Sequence, residues 1–302
     1  MKGSPPRRRN LVIVRAGARS LHPTWLINSE FRDWDIVVSV YDDAVFQHGE
    51  DAVVIRHPGG KWDGISEYLL STDALDKYDY IWLPDDDIAT NCPGISNIFA
   101  EMRRWDLDIC QPSLRADSYY THFFTLSCPG LRLRYVNFVE IMIPCVVNTV
   151  LKQLMPDLRN SMSGFGMDPI WCRLSPEPAF KAAILDGVAM KHTRPVGGGL
   201  HKMMAQHGRS ATTEADLLNR TYGIQKKIRP LVYAMIDDHD RLILGTNRID
   251  RLLLGINMCI RYSDEYRLRS HQEPAIWKML QLLRRQAAEP LELWQLSRAN
   301  NN

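Results

Sequence analysis

The sequence predicts an α/β protein, a mixed, mostly parallel sheet flanked by helices with a helical C-terminal extension. Three observations predict it. Short apolar runs recur at Leu11–Arg15, Asp35–Tyr41, Ala52–Arg56, Tyr80–Leu83 and Leu107–Ser113, the pattern of strands buried on both faces. Stretches of helical period lie between them, at Ile65–Leu75 and Pro93–Trp105, so strands and helices alternate as parallel connections require. Several strands end in small or acidic residues, and in open α/β sheets ligands bind at those carboxyl ends.

Size and charge bound the rest. The chain of 302 residues suits one large domain with an extension. The expected division is a disordered, basic N-terminus over 1–10, a catalytic α/β domain over 11–200 and helices over 201–302. A net charge of +2 gives no reason to expect nucleic acid as a partner. The six cysteines lack any C-x-x-C spacing, which favours reduced thiols over a disulfide framework or a zinc site. The N-terminus is polar until Leu11 and no run of 18 apolar residues occurs, so neither a signal peptide nor a span is expected and the location is read as cytoplasmic.

The elements follow in order. Leu11–Arg15 is a strand that runs into Ala16-Gly17-Ala18-Arg19, small residues that let a ligand approach the backbone. This is neither a dinucleotide fingerprint nor a Walker loop. Leu21–Trp34 reads as a helix. Asp35–Tyr41 is the second strand. It ends in Asp42-Asp43, which either hydrogen-bond a ribose or base or simply end the strand. After Ala52–Arg56, a Gly59-Gly60 turn presents Lys61 to a phosphate, with Trp62 beside it either as a packing residue or against the ligand. A long strand is expected over Arg134–Cys145, with Glu140 interrupting its apolar run and so needing a partner or a job. A helix over Val146–Met155 ends at Pro156, and Ala182–Lys191 is a further strand. Beyond residue 200, helices are expected at Glu214–Tyr222, Ile228–Ile236, Arg248–Tyr262 and Pro274–Ala288, and a polar tail at Arg298–Asn302. The last helix carries Ile276, Trp277, Leu280 and Leu283 on one face, suited to packing on its own domain or a second copy, or to a peripheral contact with the inner face of a membrane.

Three stretches carry chemistry. Tyr80–Leu83 runs into Asp85-Asp86-Asp87, and three carboxylates cannot stay unpaired in a core. Asp85 and Asp87 can converge on one cation, and hard oxygen donors suit Mg²⁺ or Mn²⁺ bridging to a diphosphate. The alternative is a solvated turn capping the next helix. Gly164-Phe165-Gly166 precedes Asp168, which reads as an N-cap with Pro169 after it, as a general base, or as both. His192 ends a strand before Thr193-Arg194 and a glycine loop, and suits a third metal ligand beside Asp87.

Trp82-Leu83-Pro84-Asp85-Asp86-Asp87, Leu107–Ser113, Phe138–Pro144 and Gly164–Asp168 resemble, in the same order, an uncharacterised domain family shared by plants and bacteria. Its plant members are labelled lysine-ketoglutarate reductase trans-splicing related. The resemblance covers about residues 10–200. That family looks like a GT-A-type, Rossmann-like glycosyltransferase, and the resemblance implies a metal-dependent enzyme that moves a sugar from a nucleotide diphosphate sugar to a hydroxyl acceptor, a glycan or polysaccharide, with inversion. It further implies metal ligation by Asp85, Asp87 and His192, and Asp168 as base. The donor is expected against Ala16, Gly17, Arg19, Asp42, Asp43, Lys61, Trp62, Asp86 and Arg194, and the acceptor against His122, Glu140 and Trp171. Two rivals remain: a sugar-phosphate nucleotidyltransferase, for which the loop after the first strand is thin, and a non-catalytic nucleotide-sugar-binding protein.

Overall fold

The computed structural model describes residues 9–30, 32–46, 52–197, 204–226, 228–266, 275–291, 293, 295 and 296. The strands are β1 (Asn10–Ala16), β2 (Trp34–Val40), β3 (Ala52–Arg56), β4 (Tyr80–Trp82), β5 (Ile88–Ala89), β6 (Ile109–Leu114), β7 (Leu131–Val136), β8 (Cys145–Val147), β9 (Ala182–His192), β10 (Val232–Asp237) and β11 (Leu242–Leu244). They form one mixed sheet in the order β11-β10-β7-β9-β6-β8-β4-β1-β2-β3, with β5 off this path on β9. The half built from β3, β2, β1 and β4 is parallel, as is β6 with β9. β8 enters antiparallel between β4 and β6.

Alternation along the buried strands makes two cores. Leu11, Ile13, Val37 and Ile81 face one side, where α2 (Lys61–Ser71) and α5 (Asn148–Leu158) lie. Val12, Val14, Val38 and Trp82 face the other, covered by α4 (Cys92–Arg104) through Ile95, Ile98, Phe99 and Met102. Asn91 caps α4 by accepting from the Gly94 amide at 2.9 Å, and Pro93 follows at the start, the expected chemistry of a helix opening. The remaining helices are α1 (His22–Trp25), α3 (Ala74–Lys77), α6 (Met167–Ile170), α7 (Ala211–Thr221), α8 (Arg248–Tyr266) and α9 (Ala275–Ala288).

Several expectations are corrected. Asn10 begins β1 and is buried, so the expected disorder over 1–10 does not reach it, while residues 1–8 lie outside the described residues. Leu21–Trp34 is not one helix. Only His22–Trp25 is helical, Asn28 adopts a left-handed φ of 52° that ends any continuation, and Trp34 already pairs with Asn10. Phe31 lies outside the described residues. The strand expected over Arg134–Cys145 stops at Val136, because Asn137 turns away to bond Leu231, whose amide donates to its Oδ1 at 2.7 Å. Pro156 does not end its helix, which runs to Leu158. Ile228–Ile236 is no helix: Val232–Asp237 forms β10, antiparallel to β7. The Arg298–Asn302 tail lies outside the described residues.

The C-terminal helices pack on the sheet through Leu254, Met258 and Tyr262. Ile249, Leu253, Ile256 and Ile260 of α8 and Ile276, Trp277 and Leu280 of α9 are exposed. Among the described residues no helix is long and apolar enough to cross a membrane. All six cysteines are free thiols.

Candidate active site

The three acids leave the sheet where β4 ends. The Leu83 amide donates to the Pro144 carbonyl and the Asp85 amide to the Met142 carbonyl, both at 2.8 Å. The next two residues after the acids form β5, pairing Ile88 with His192. The Thr193 amide and hydroxyl both donate to the Asp87 carbonyl, at 3.1 and 2.9 Å. This short antiparallel clasp brings His192 to the acids across 105 residues of chain. No solvated cap is formed here, since Asp86 and Asp87 are both buried.

One ligand atom each from Asp85, Asp87 and His192 lies within 4.8 Å of the others. His192 Nδ1 is 2.9 Å from the Tyr119 carbonyl and Nε2 is 3.0 Å from Asp87 Oδ2. A carbonyl can only accept, so Nδ1 carries a proton and Nε2 is the atom offered to the acids. Two ligands at right angles on an octahedral ion at about 2.1 Å stand about 3.0 Å apart, and opposite ligands about 4.2 Å. The donor set therefore fits a Mg²⁺ or Mn²⁺ ion with small side-chain adjustment. Two carboxylates and one imidazole suit Mn²⁺ and Mg²⁺ by chemistry as well.

Fixed cations surround these acids. Arg194 donates to Asp86 Oδ1 and stands 3.1 Å from Asp87 Oδ2 through Nε. Burial works against ionisation of Asp87, but the hydrogen bond and charge of His192, with Arg194, more than reverse it, so its carboxyl sits below the ordinary value. Burial pushes Asp86 up, opposed by the Gly17 amide and Arg194. His192 moves upward, since the bond and charge of Asp87 outweigh its burial. Lys61 donates to Asp85 Oδ1 at 2.7 Å and to the carbonyls of Ile141 and Met142 at 2.7 and 3.1 Å. All three N–H groups are used within the protein. Burial pulls the Lys61 ammonium down in spite of Asp85. The structure thus gives Lys61 a carboxylate and two carbonyls in place of the phosphate expected for it.

The loop after β1 is held from two sides. The Gly17 amide donates to Asp86 Oδ2 at 3.0 Å, and the Ala18 amide to Asp42 Oδ2 at 2.8 Å. Those backbone bonds hold Asp42 below its ordinary value. Ala16 is buried, while Arg19 and Asp43 are exposed beside the loop. Tyr41, which the sequence reading passed over, lies at the end of β2 with its hydroxyl 3.4 Å from Asp86 Oδ2 and its ring exposed. Its signal was an aromatic directly before Asp42-Asp43. It packs over Gly17, where a Cβ would stand 2.3 Å from the Tyr41 hydroxyl oxygen, so a larger residue there would displace the Tyr41 ring.

Asp168 is tied to the loop at 137–144, where the Val139 amide donates to its carbonyl at 3.1 Å. It is not the N-cap. Gly166, with φ 95°, occupies that position, and Asp168 lies in the first turn of α6. Its Oδ1 accepts from the Ile141 amide at 2.9 Å. Burial raises its carboxyl to about 6, against that hydrogen bond. Glu140 follows in the same loop. Burial first, then the charge of Asp168, raises it to about 8. His122 Nε2 stands 4.0 Å from Glu140 Oε1. Two aromatics expected against ligands are instead core. Trp62 and Trp171 are fully buried, with ring centroids 6.0 Å apart, and Trp171 Nε1 donates to the Val139 carbonyl at 3.0 Å. They pack beneath the site and hold the loop from below.

Comparisons with known proteins add little at the level of sequence. No protein-family model and no curated protein sequence matches this chain significantly, and the plant and bacterial domain family named above is therefore not among the matches. Among solved structures, residues 1–349 of S. aureus TarS superpose with a TM-score of 0.49 at 12% identity, covering 93% of this chain and 81% of that one. The same TarS fragment in complex with UDP-GlcNAc gives 0.46 at 10% identity, over 92% and 81%. A putative nucleotide-diphospho-sugar transferase from Desulfovibrio desulfuricans G20 gives 0.30 at 8% identity, over 47% and 64%.

Proposed function

We propose that this protein is a metal-dependent GT-A-type glycosyltransferase that moves a sugar from a nucleotide diphosphate sugar to a hydroxyl acceptor with inversion. One observation carries the reading: Asp85, Asp87 and His192 converge at the carboxyl end of a parallel half-sheet, where such sheets bind ligands, and half-buried Asp168 bonds the same Ile141 segment that Lys61 ties to Asp85.

In this reading Asp85, Asp87 and His192 hold a divalent ion, which when bound neutralises charge on the leaving diphosphate. Arg194 adds a second positive group at the same edge. The Ala16–Arg19 loop, fixed by Asp86 and Asp42, accepts the nucleoside, and exposed Tyr41 offers a ring for a base to stack on. Lys61 holds Asp85 and the loop at 141–142 in place. Asp168 takes the acceptor's proton. A carboxyl raised toward 6 is a stronger base than an ordinary one and is still largely ionised at neutral pH. Its hydrogen bond from Ile141 fixes Oδ1 and leaves Oδ2 for the acceptor.

A thermal-shift screen of nucleoside diphosphates and their sugar esters, with Mn²⁺ and with chelator, tests the reading. Stabilisation by a diphosphate only in the presence of metal, lost in Asp87→Ala, supports it, because a ligand that binds only the folded state raises Tm. No diphosphate shift under either condition overturns it.

A further inference from the structure

Gln111 and Glu140 form an unusual pair inside the protein. Gln111 lies in the middle of β6 and is fully buried, and Glu140 is 5% exposed. They are joined at one point: the Glu140 amide donates to Gln111 Oε1 at 2.7 Å. That bond fixes the amide of Gln111 with its Nε2 as the free end. Yet Gln111 Nε2 and Glu140 Oε2 are both buried without a protein partner among the described residues. Leaving a buried amide and a buried carboxyl oxygen both unmatched is costly, so each calls for a ligand or a role.

Their surroundings say which. Glu140 lies close enough to Asp168, His192 and Asp85 to feel their charges, which places it beside both the candidate base and the candidate metal ligands. His122 borders it, half-buried, with Nε2 4.0 Å from Oε1. An amide N–H beside a carboxyl oxygen is matched by a group that accepts from one and donates to the other. A hydroxyl does both. We propose that Gln111 and Glu140 are a recognition subsite for one hydroxyl of a sugar ring, accepting the N–H of Gln111 and donating to Glu140. The ring belongs either to the donor or to the acceptor. This deepens the glycosyltransferase reading and rests on it.

The test uses the full chain saturated with Mn²⁺. UDP, GDP, CDP and ADP are titrated first, and the tightest binder is chosen. Its glucose, galactose and N-acetylglucosamine esters are then titrated into wild type, Glu140→Gln and Gln111→Leu, and the methyl glycosides of the same sugars into the diphosphate-saturated proteins. Should Gln111→Leu fail to fold, Glu140→Gln keeps the side chain's shape and carries the comparison. In the donor case the variants lose roughly 10- to 100-fold in affinity for one sugar ester, with the diphosphate alone unchanged. In the acceptor case the same loss appears in a methyl glycoside and the esters bind as before. A 2-, 3-, 4- or 6-deoxy analogue of the affected sugar that binds wild type and variant equally names the hydroxyl. Unchanged affinity for every sugar probe in both variants means the pair holds only a water and overturns the proposal. If wild type binds none of the four diphosphates, the transferase reading has failed first, before the variants are compared.

Discussion

The Nε2 atom of His192 stands 3.0 Å from Oδ2 of Asp87, though His192 ends β9 and Asp87 lies in the turn before β5, 105 residues earlier in the chain. The contact follows from the β5–β9 clasp, and it is spaced as neighbouring ligands of one small cation are. Mn²⁺ at 100 times its Kd therefore raises stability by about 2.7 kcal/mol, seen as a higher Tm that chelator reverses. Asp87→Ala and His192→Ala each remove the ion-dependent shift. A shift that persists in both variants places the ion elsewhere.

Asp168→Asn keeps the shape and the Ile141 hydrogen bond but cannot take a proton. Turnover is expected to fall roughly 10²- to 10⁴-fold, while titration calorimetry returns an unchanged Kd for the nucleotide sugar. A variant that retains its turnover removes Asp168 from the chemistry.

Glu140 shapes the pH dependence of stability. Its carboxyl rises from 4.5 unfolded to about 8 in the folded chain, so the folded state holds the proton more tightly. Its contribution is fully present below pH 4.5 and is lost as pH rises toward 8. Glu140→Gln removes this loss. Relative to wild type, the variant gains up to about 1.4 kcal/mol for each pH unit within that window, measured as urea unfolding at pH 4.5, 6 and 8. Parallel curves for the two proteins would contradict the burial of this acid.

Gly164 has φ 73°, and a Cβ there would sit 2.1 Å from Trp62 Nε1. Gly164→Ala is expected to cost about 1–3 kcal/mol for the backbone strain alone, more with the clash against a fully buried indole. Tm falls, and turnover falls further than Tm explains because α6 carries Asp168. Wild-type turnover at temperatures well below Tm would show that the turn does not position Asp168.

Arg134 and Asp186 form a fully buried two-pronged ion pair, with bonds of 2.8 Å from Nε to Oδ2 and from Nη2 to Oδ1. Arg134 also donates to the Phe124 and Leu126 carbonyls and to the Tyr262 hydroxyl. Asp186→Asn is expected to cost about 3–5 kcal/mol, and Arg134→Lys cannot restore the fork. Denaturant midpoints decide it, and a loss below 1 kcal/mol would contradict the geometry.

How much of this was legible in the sequence varies along the chain. The parallel half was, because its strands are short apolar runs, most of them buried on both faces: β1, β2, β3 and β4 fall within one residue of their expected bounds at every end. β10 was not, because Val232–Ile236 is a short apolar run that fits helix or strand by period alone, and its pairing with β7 decides between them. The three acids and His192 stood out because charge at the end of a buried strand is costly. The partners of Lys61 did not, since they are carbonyls about 80 residues away. Trp62 and Trp171 are fully buried, which their sequence could not show, because an aromatic near a glycine turn looks the same whether it faces ligand or core. Gln111 was passed over although a lone amide between Cys110 and Pro112 in a buried strand is itself a signal.

Arg194 touches both Asp86 and Asp87, and Lys61 holds Asp85. Each acid of the triplet thus already has a positive neighbour supplied by the polypeptide. A cluster balanced from within does not depend on a captured ion to hold its shape, unlike small domains whose folding waits for metal. Folding of this chain is thereby expected to be independent of cation supply, and in the proposed reading an ion is left free to come and go with each round of use.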